Sequence, residues 1–234
     1  VDQPDRGGKW SAYFESGRAR MAEVAARITA GTPPAERDEV TLSDFDPEGE
    51  VKVVAAALYP SSALPDDELL AIARAMSVDE RAAVLAACIG DRANRRHKPG
   101  RAFERTSYRF DVLTDYGAFR DLQRHRLCTI DWQALSVAHG HTQPEAIVEA
   151  GGDAEWKRVM RVCADTHDAL MAAGLAQVAQ YAVPMAYRVR FVMDMNAREA
   201  MHVIELRTAP QGHPAYRRVC QQMHTLISTR AGHH

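Results

Sequence analysis

Apolar residues recur at helical spacing near the start of the chain. Trp10, Tyr13, Phe14, Met21, Val24 and Ile28 lie within residues 10–30, before Gly31 and Pro33-Pro34 break the pattern. Residues 32–45 are polar and read as loop. Asp46-Pro47 offers an N-cap followed by proline at the first helical position, so the apolar run Val51–Leu58 is expected to be helix despite its valines. Pro65-Asp66-Asp67-Glu68 opens another helix, and Ser77 with Glu80 forms a capping box for a third that Gly90 ends. Ser107–Leu113 alternates apolar and polar positions and predicts a strand. Ala186–Met195 repeats that alternation through Tyr187, Val189, Phe191 and Met193. Between the two strands, residues 117–127 read as helix, 137–144 as loop, and 153–173 as a long amphipathic helix stopped by Gly174. Asn196 with Glu199 caps a helix to about Arg207, and the turn APQGHP leads into a last helix from Pro214 to about Ser228. The pattern predicts an α+β fold, with helices flanking a small antiparallel sheet.

Composition narrows the function classes. The 234 residues suffice for a real core, and 46% hydrophobic with 26% charged residues is an ordinary globular balance. A net charge of −2 implies no general attraction to nucleic acid or membrane. No apolar run approaches the roughly 20 residues that span a bilayer. Cys88, Cys128, Cys163 and Cys220 form no CxxC pair and read as reduced cytoplasmic thiols. The opening VDQPDRGGKW reads like the interior of a longer chain, and the terminal His233 and His234 are assigned no function.

Charge is uneven along the chain. Residues 92–126 hold ten Arg or Lys against four Asp or Glu, an excess that suits a phosphate-bearing ligand or, more plainly, a solvated basic face. His139 and His141 in AHGH lack a nearby carboxylate or cysteine, so no metal centre is expected there. The chain has no P-loop, GxGxxG or Ser-His-Asp order, which disfavours a Rossmann flavoprotein.

The order of the remaining motifs is more specific. His97, Phe103-Glu104, Arg124-His125-Arg126, Gly174, Val183-Pro184, Asn196-Ala197-Arg198 and Leu206-Arg207 follow one another in that sequence. Over about residues 90–225 this series resembles the flavin-dependent thymidylate synthase family, whose signature is RHRxxSxNExSxRY. The resemblance implies the family's own fold, with FAD at subunit interfaces of a homotetramer. It implies one such domain over residues 1–234, with 1–45 as an N-terminal helix and loop extension. It also implies C5 methylation of a uridylate, dUMP to dTMP, with methylenetetrahydrofolate as carbon donor and NADPH as reductant. By position, Arg124, His125, Arg126, Asn196, Arg198 and His202 are the expected flavin contacts. Arg207 and His97 are the expected catalytic residues, and Arg124, Arg207 and Ser136 the expected substrate contacts.

The departures cluster on the nucleotide side. Thr129 stands at the first signature serine, Asp131 at the asparagine, Trp132 at the glutamate, Ala134 at the second serine, Ser136 at the arginine and Val137 at the tyrosine. Gln180 replaces a helix-end arginine, and Asp121 replaces a glutamine three residues before the RHR triplet. The flavin half thus looks kept and the dUMP half rebuilt. The alternatives are a catalytically degenerate flavin- or nucleotide-binding domain that supports a partner domain, or an enzyme for a different uridine nucleotide.

Overall fold

The structure, a computed structural model, describes residues 4–233. His234 lies outside the described residues. The chain divides into two compact units between Arg37 and Asp38. The first contains helix α1 (Pro4–Ile28). The second runs β1 (Val40–Phe45), α2 (Gly49–Leu58), α3 (Asp66–Ala75), α4 (Val78–Ile89), β2 (Ser107–Asp115), α5 (Tyr116–Leu122), β3 (Thr129–Trp132), α6 (Glu145–Glu149), α7 (Asp153–Ala172), α8 (Ala176–Ala179), β4 (Arg188–Asn196), α9 (Ala197–Arg207) and α10 (Pro214–Leu226).

Four antiparallel strands form one sheet in the order β1-β2-β4-β3. The two central strands are the two that alternate cleanly in sequence. Tyr108, Phe110 and Val112 of β2 and Val189, Phe191, Met193 and Met195 of β4 are all buried, and Phe110 lies opposite Met193. This face packs with Phe119 and Leu122 of α5, Ala200 and Val203 of α9, and Val219 and Met223 of α10 in the main core. The other face is partly exposed and carries ion pairs between the strands, Arg109 to Asp194 at 3.4 Å and Arg190 to Asp111 at 3.5 Å. A second core, of Val54, Ala55, Leu69 and Ala73, joins α2 to α3.

Residues 40–45 correct the loop expectation: they are an edge strand, which belongs to the second compact unit. A bulge at Leu42/Asp44 breaks the alternation of this strand, and Ser43 donates its hydroxyl to the Arg109 carbonyl at 3.0 Å, so its sequence lacks a strand period. Asp46 is not the cap of α2. Its carboxylate accepts from the Glu48 N–H at 2.9 Å and its carbonyl from Gly49 N–H at 3.0 Å, a tight turn, and the helix begins at Gly49. Gly49 is required by packing, since a Cβ there would sit 2.2 Å from Thr106 Oγ1. Strand β3 and the short α6 and α8 have no counterpart in the sequence expectation, and the helix expected over residues 117–127 ends at Leu122, leaving the RHR triplet in a turn. The other cap readings hold: the Ser77–Glu80 capping box is formed, Gly90 and Gly174 have positive φ at the ends of α4 and α7, and Asn196 accepts from Glu199 N–H at 2.9 Å.

Candidate functional site

The RHR triplet lies in the turn after α5, directly across from the first half of α9. Strand β4 delivers α9 there: Asn196 ends the strand and caps the helix, so Arg198, Glu199 and His202 emerge next to the turn. Arg198 is fixed rather than free. Its Nε donates to the Pro99 carbonyl at 2.9 Å and its Nη1 to Glu104 at 3.1 Å, which pins the basic loop 92–100 against α9. Arg92 holds the same loop from its other end, with Nη2 2.6 Å from Glu205 Oε2.

A cleft of 220 Å³ opens between these segments. Arg92, Arg95, Lys98, Arg124, Arg126 and Arg198 line it, against the acids Glu199 and Glu205. Five of the six expected flavin contacts, Arg124, His125, Arg126, Arg198 and His202, are on its wall. Asn196 stays at the helix start as a cap, outside the lining. His97 is on the basic loop but also outside the lining; its Nδ1 accepts from the Ala93 N–H at 3.2 Å.

His125 is the buried centre. Its Nε2 accepts from Arg207 Nε at 3.0 Å, and its Nδ1 faces Glu199 Oε1 at 3.4 Å. Burial and the adjacent Arg207 and His202 push its pKa down to about 4, so it is neutral at pH 7 with the proton on Nδ1. Burial also raises the Glu199 carboxyl above its ordinary range. Beyond His125, Arg207 Nη2 donates to the Asp121 carbonyl at 2.6 Å, its Nη1 lies 3.4 Å from the Asp121 carboxylate, and its guanidinium stacks over Tyr216 at 5.3 Å. Arg207 is thus tied on every side to the protein itself.

His125, Glu199 and His202 bring ligand atoms within 4.8 Å of one another, a grouping that the sequence reading did not foresee. Arg207 occupies the acceptor nitrogen of His125, and the cations around the cleft oppose a metal ion there. His141 is structural, bridging to Tyr187 and accepting from Trp156 Nε1 at 3.3 Å.

The positions that depart from the family signature have taken up other work. Gln180 accepts from the Leu135 N–H at 3.1 Å, and Ser136 from the Ala138 N–H at 3.3 Å, so both hold the loop after β3. Trp132 leans on Phe119 with ring centroids 5.5 Å apart and stays 55% exposed. Ser136 and Arg207 do not line the cleft. The residues that sequence reasoning missed are Arg95, Lys98, Glu199 and Asp121; the local basic excess was the available signal for the first two.

Residues 41–231 match the model of the thymidylate synthase complementing protein family. The chain belongs to that family. It is 34% identical over 206 residues to a UPF0159 protein of Chlamydia muridarum and 38% identical over 204 residues to UPF0159 protein Ta1429 of Thermoplasma acidophilum. These alignments take in 88% and 82% of this chain, which spans only 39% of the length of each relative. In fold it is similar to the UMP/dUMP methylase PolB of Streptomyces cacaoi, solved with 5-Br dUMP. The TM-score is 0.66 at 20% identity, covering 82% of this chain and 91% of that one. No helix among the described residues is long and apolar enough to cross a membrane.

Proposed function

We propose that this chain is a flavin-binding domain of a protein that methylates a uridylate at C5, dUMP to dTMP, and that the cationic cleft seats the phosphates of FAD. One observation carries the reading. Arg95 and Arg126 on the cleft wall make no side-chain hydrogen bond or ion pair among the described residues, while Lys98 faces Glu199 and Arg92 and Arg198 are paired. Cations gathered on one wall offer a site for a polyanion, and arginine matches phosphate bidentately. Membership in the family supports the choice of FAD, and the fold shared with a UMP/dUMP methylase supports a pyrimidine nucleotide as substrate.

Within this reading each residue has a task. Arg124 and Arg126 hold phosphate oxygens, His202 presents its ring to the ligand, and Asn196 and Arg198 fix the helix and loop that frame the cleft. Bound reduced flavin would supply the hydride, methylenetetrahydrofolate the carbon and NADPH the reducing equivalents. Arg207 would polarise the pyrimidine, with neutral His125 orienting its guanidinium, and His97, on the mouth-side loop, would act from outside the cleft. The purified protein should show flavin absorbance, and Arg124→Ala with Arg126→Ala should abolish flavin retention. A colourless protein with no flavin affinity at micromolar concentration would sink the reading.

A second reading is favoured by the closed ring of contacts around Arg207: a degenerate domain that binds flavin and supports a catalytic partner domain. It predicts flavin binding without turnover, and turnover restored only in the longer protein.

A further inference from the structure

Helix α1 belongs to its own compact unit, ahead of the residues 41–231 that match the family, and the function described so far makes no use of it. One stripe of this helix is apolar. Trp10, Phe14, Gly17, Met21, Val24 and Ile28 follow one another by alternating steps of four and three, the period of a coiled-coil seam. Trp10, Phe14, Met21 and Ile28 are all exposed, Ile28 by 71%, and the Trp10 and Phe14 rings stack on each other at 5.8 Å. We infer that this seam is an interface between two copies of the chain, in which α1 of the second copy covers it antiparallel.

The order of large and small side chains selects a second copy. Antiparallel pairing centred on Ala19 sets Trp10 against the partner's Ile28, Phe14 against the partner's Val24 and Gly17 against the partner's Met21, and the twofold axis repeats each layer. Every layer joins a larger side chain to a smaller one. A parallel pair would instead set Trp10 against its own copy and Gly17 against its own, crowding one layer and emptying another. Gly17 is a separate argument. Glycine weakens a helix interior, yet a Cβ at this position would meet nothing within 4 Å, so no contact inside the chain asks for it. A flexible methionine entering from a partner helix does. On the flank, Tyr13 falls opposite the partner's Arg27, a cation over an aromatic face. Arg18 and Arg20 meet their own copies near the axis at exposed positions, and Glu15 and Glu23, each three residues away on the same helix, offset that repulsion. All of these residues precede the family match, so the contact is separate from any made by residues 41–231.

A nuclear Overhauser experiment on a mixed sample reads the contact directly. Half of the protein carries protonated isoleucine methyls and the other half protonated tryptophan rings, each in a deuterated background. Within one copy, eighteen residues of helix hold Trp10 and Ile28 about 27 Å apart, so a cross-peak between them arises only between copies. The peak should be present in the native chain and assigned by its absence in Ile28→Val. It should vanish in Phe14→Glu alone and in Val24→Lys alone. Mixing these two variants should restore it, because antiparallel pairing then sets the introduced carboxylate against the introduced amine and leaves the other layer as Phe14 against Val24. Restoration separates pairing from simple loss of the helix. A native chain without the peak, or loss without restoration, overturns the inference. Cross-peaks from Ile28 to Trp132 or Trp156 overturn it too, since the second unit then covers the seam. Flavin retention should be unchanged in both variants, so failure of this interface leaves the flavin reading standing.

Discussion

His125 shows how one buried side chain can join a ligand site to a structural clamp. Its neutral ring accepts from Arg207 and turns Nδ1 to Glu199, and protonation would set a charge against the guanidinium 3.0 Å away. The pKa lies near 4 in the folded protein, below the ordinary histidine value of 6.5. Between those values the unfolded chain binds the extra proton. Stability from this group is therefore complete above pH 6.5 and is lost as pH falls toward 4. Glu199, raised by burial, works in the opposite sense, losing its contribution as pH rises through its folded pKa, while His125 acts on the acid limb together with lowered carboxyls such as Glu39. Urea melts from pH 7 to 4 should show falling stability in the native protein and a shallower fall in His125→Gln. Parallel curves would show that the histidine does not set the acid limb. Gly49 makes a purely steric prediction. Gly49→Ala drives a methyl to 2.2 Å from Thr106 Oγ1 and should cost about 1–3 kcal/mol in a denaturant melt.

Among the elements, α9 combines capping and ligand roles in a way that mutation can separate. Asn196→Ala removes the oxygen that accepts from Glu199 N–H and should cost about 1 kcal/mol of stability. Asn196→Asp keeps that acceptor, so thermal melts should recover. The added charge beside the cleft should still weaken flavin binding, and equal flavin affinity in both variants would remove Asn196 from the ligand's surroundings. The same helix illustrates what the sequence revealed. Its Asn-x-x-Glu cap, the Ser77–Glu80 box and the alternation of β2 and β4 are local signals, and each survived into the fold. The edge strands had no such signal. β1 is bulged, and β3 is four residues long and mostly exposed, so neither needs an apolar period. For the site, the RHR triplet, Arg198 and His202 were legible from motif order, and the structure brings them to one cleft. The partners of Arg207 were not, because Asp121 and Tyr216 reach it only through the packing of α5 and α10 on the sheet.

For the whole molecule, the exposed apolar side chains of residues 171–185 bear on assembly. Met171, Leu175, Val178, Tyr181 and Met185 are all solvent-facing, and Tyr181 is 92% exposed. Exposed apolar residues of this kind can mark an interface, and with the family resemblance they lead us to propose a homotetramer. Light scattering at flavin-binding concentrations should give four times the chain mass, and a monomer would count against it. The nucleotide is the sharper question, because family membership and side-chain geometry pull apart there. Membership suggests that dUMP is bound and methylated. The nucleotide-side positions show no free phosphate donors of the expected kind: Ser136 stands at the signature arginine and Gln180 at the helix-end arginine of the family pattern, and both are engaged with loop backbone. Arg207 is already held by Asp121, His125 and Tyr216, so reaching a pyrimidine would break contacts it now makes. A neutral donor gives about half the strength of a charge-assisted one, and each lost charged contact costs roughly 1.5–3 kcal/mol. Two such losses amount to at least about a hundredfold in affinity. The degenerate reading therefore predicts that dUMP binds at least about a hundredfold more weakly than a pocket with both arginines would bind it, with tritium release from C5-labelled dUMP near background. Restoring Trp132→Glu, Ala134→Ser, Ser136→Arg and Gln180→Arg together should tighten dUMP binding, provided that a melt shows the loop after β3 has kept its fold without the Gln180 bond to Leu135. Robust turnover of dUMP by the unaltered chain would mean that Arg207 leaves its clamp during binding, and the enzyme reading would then stand over the degenerate one.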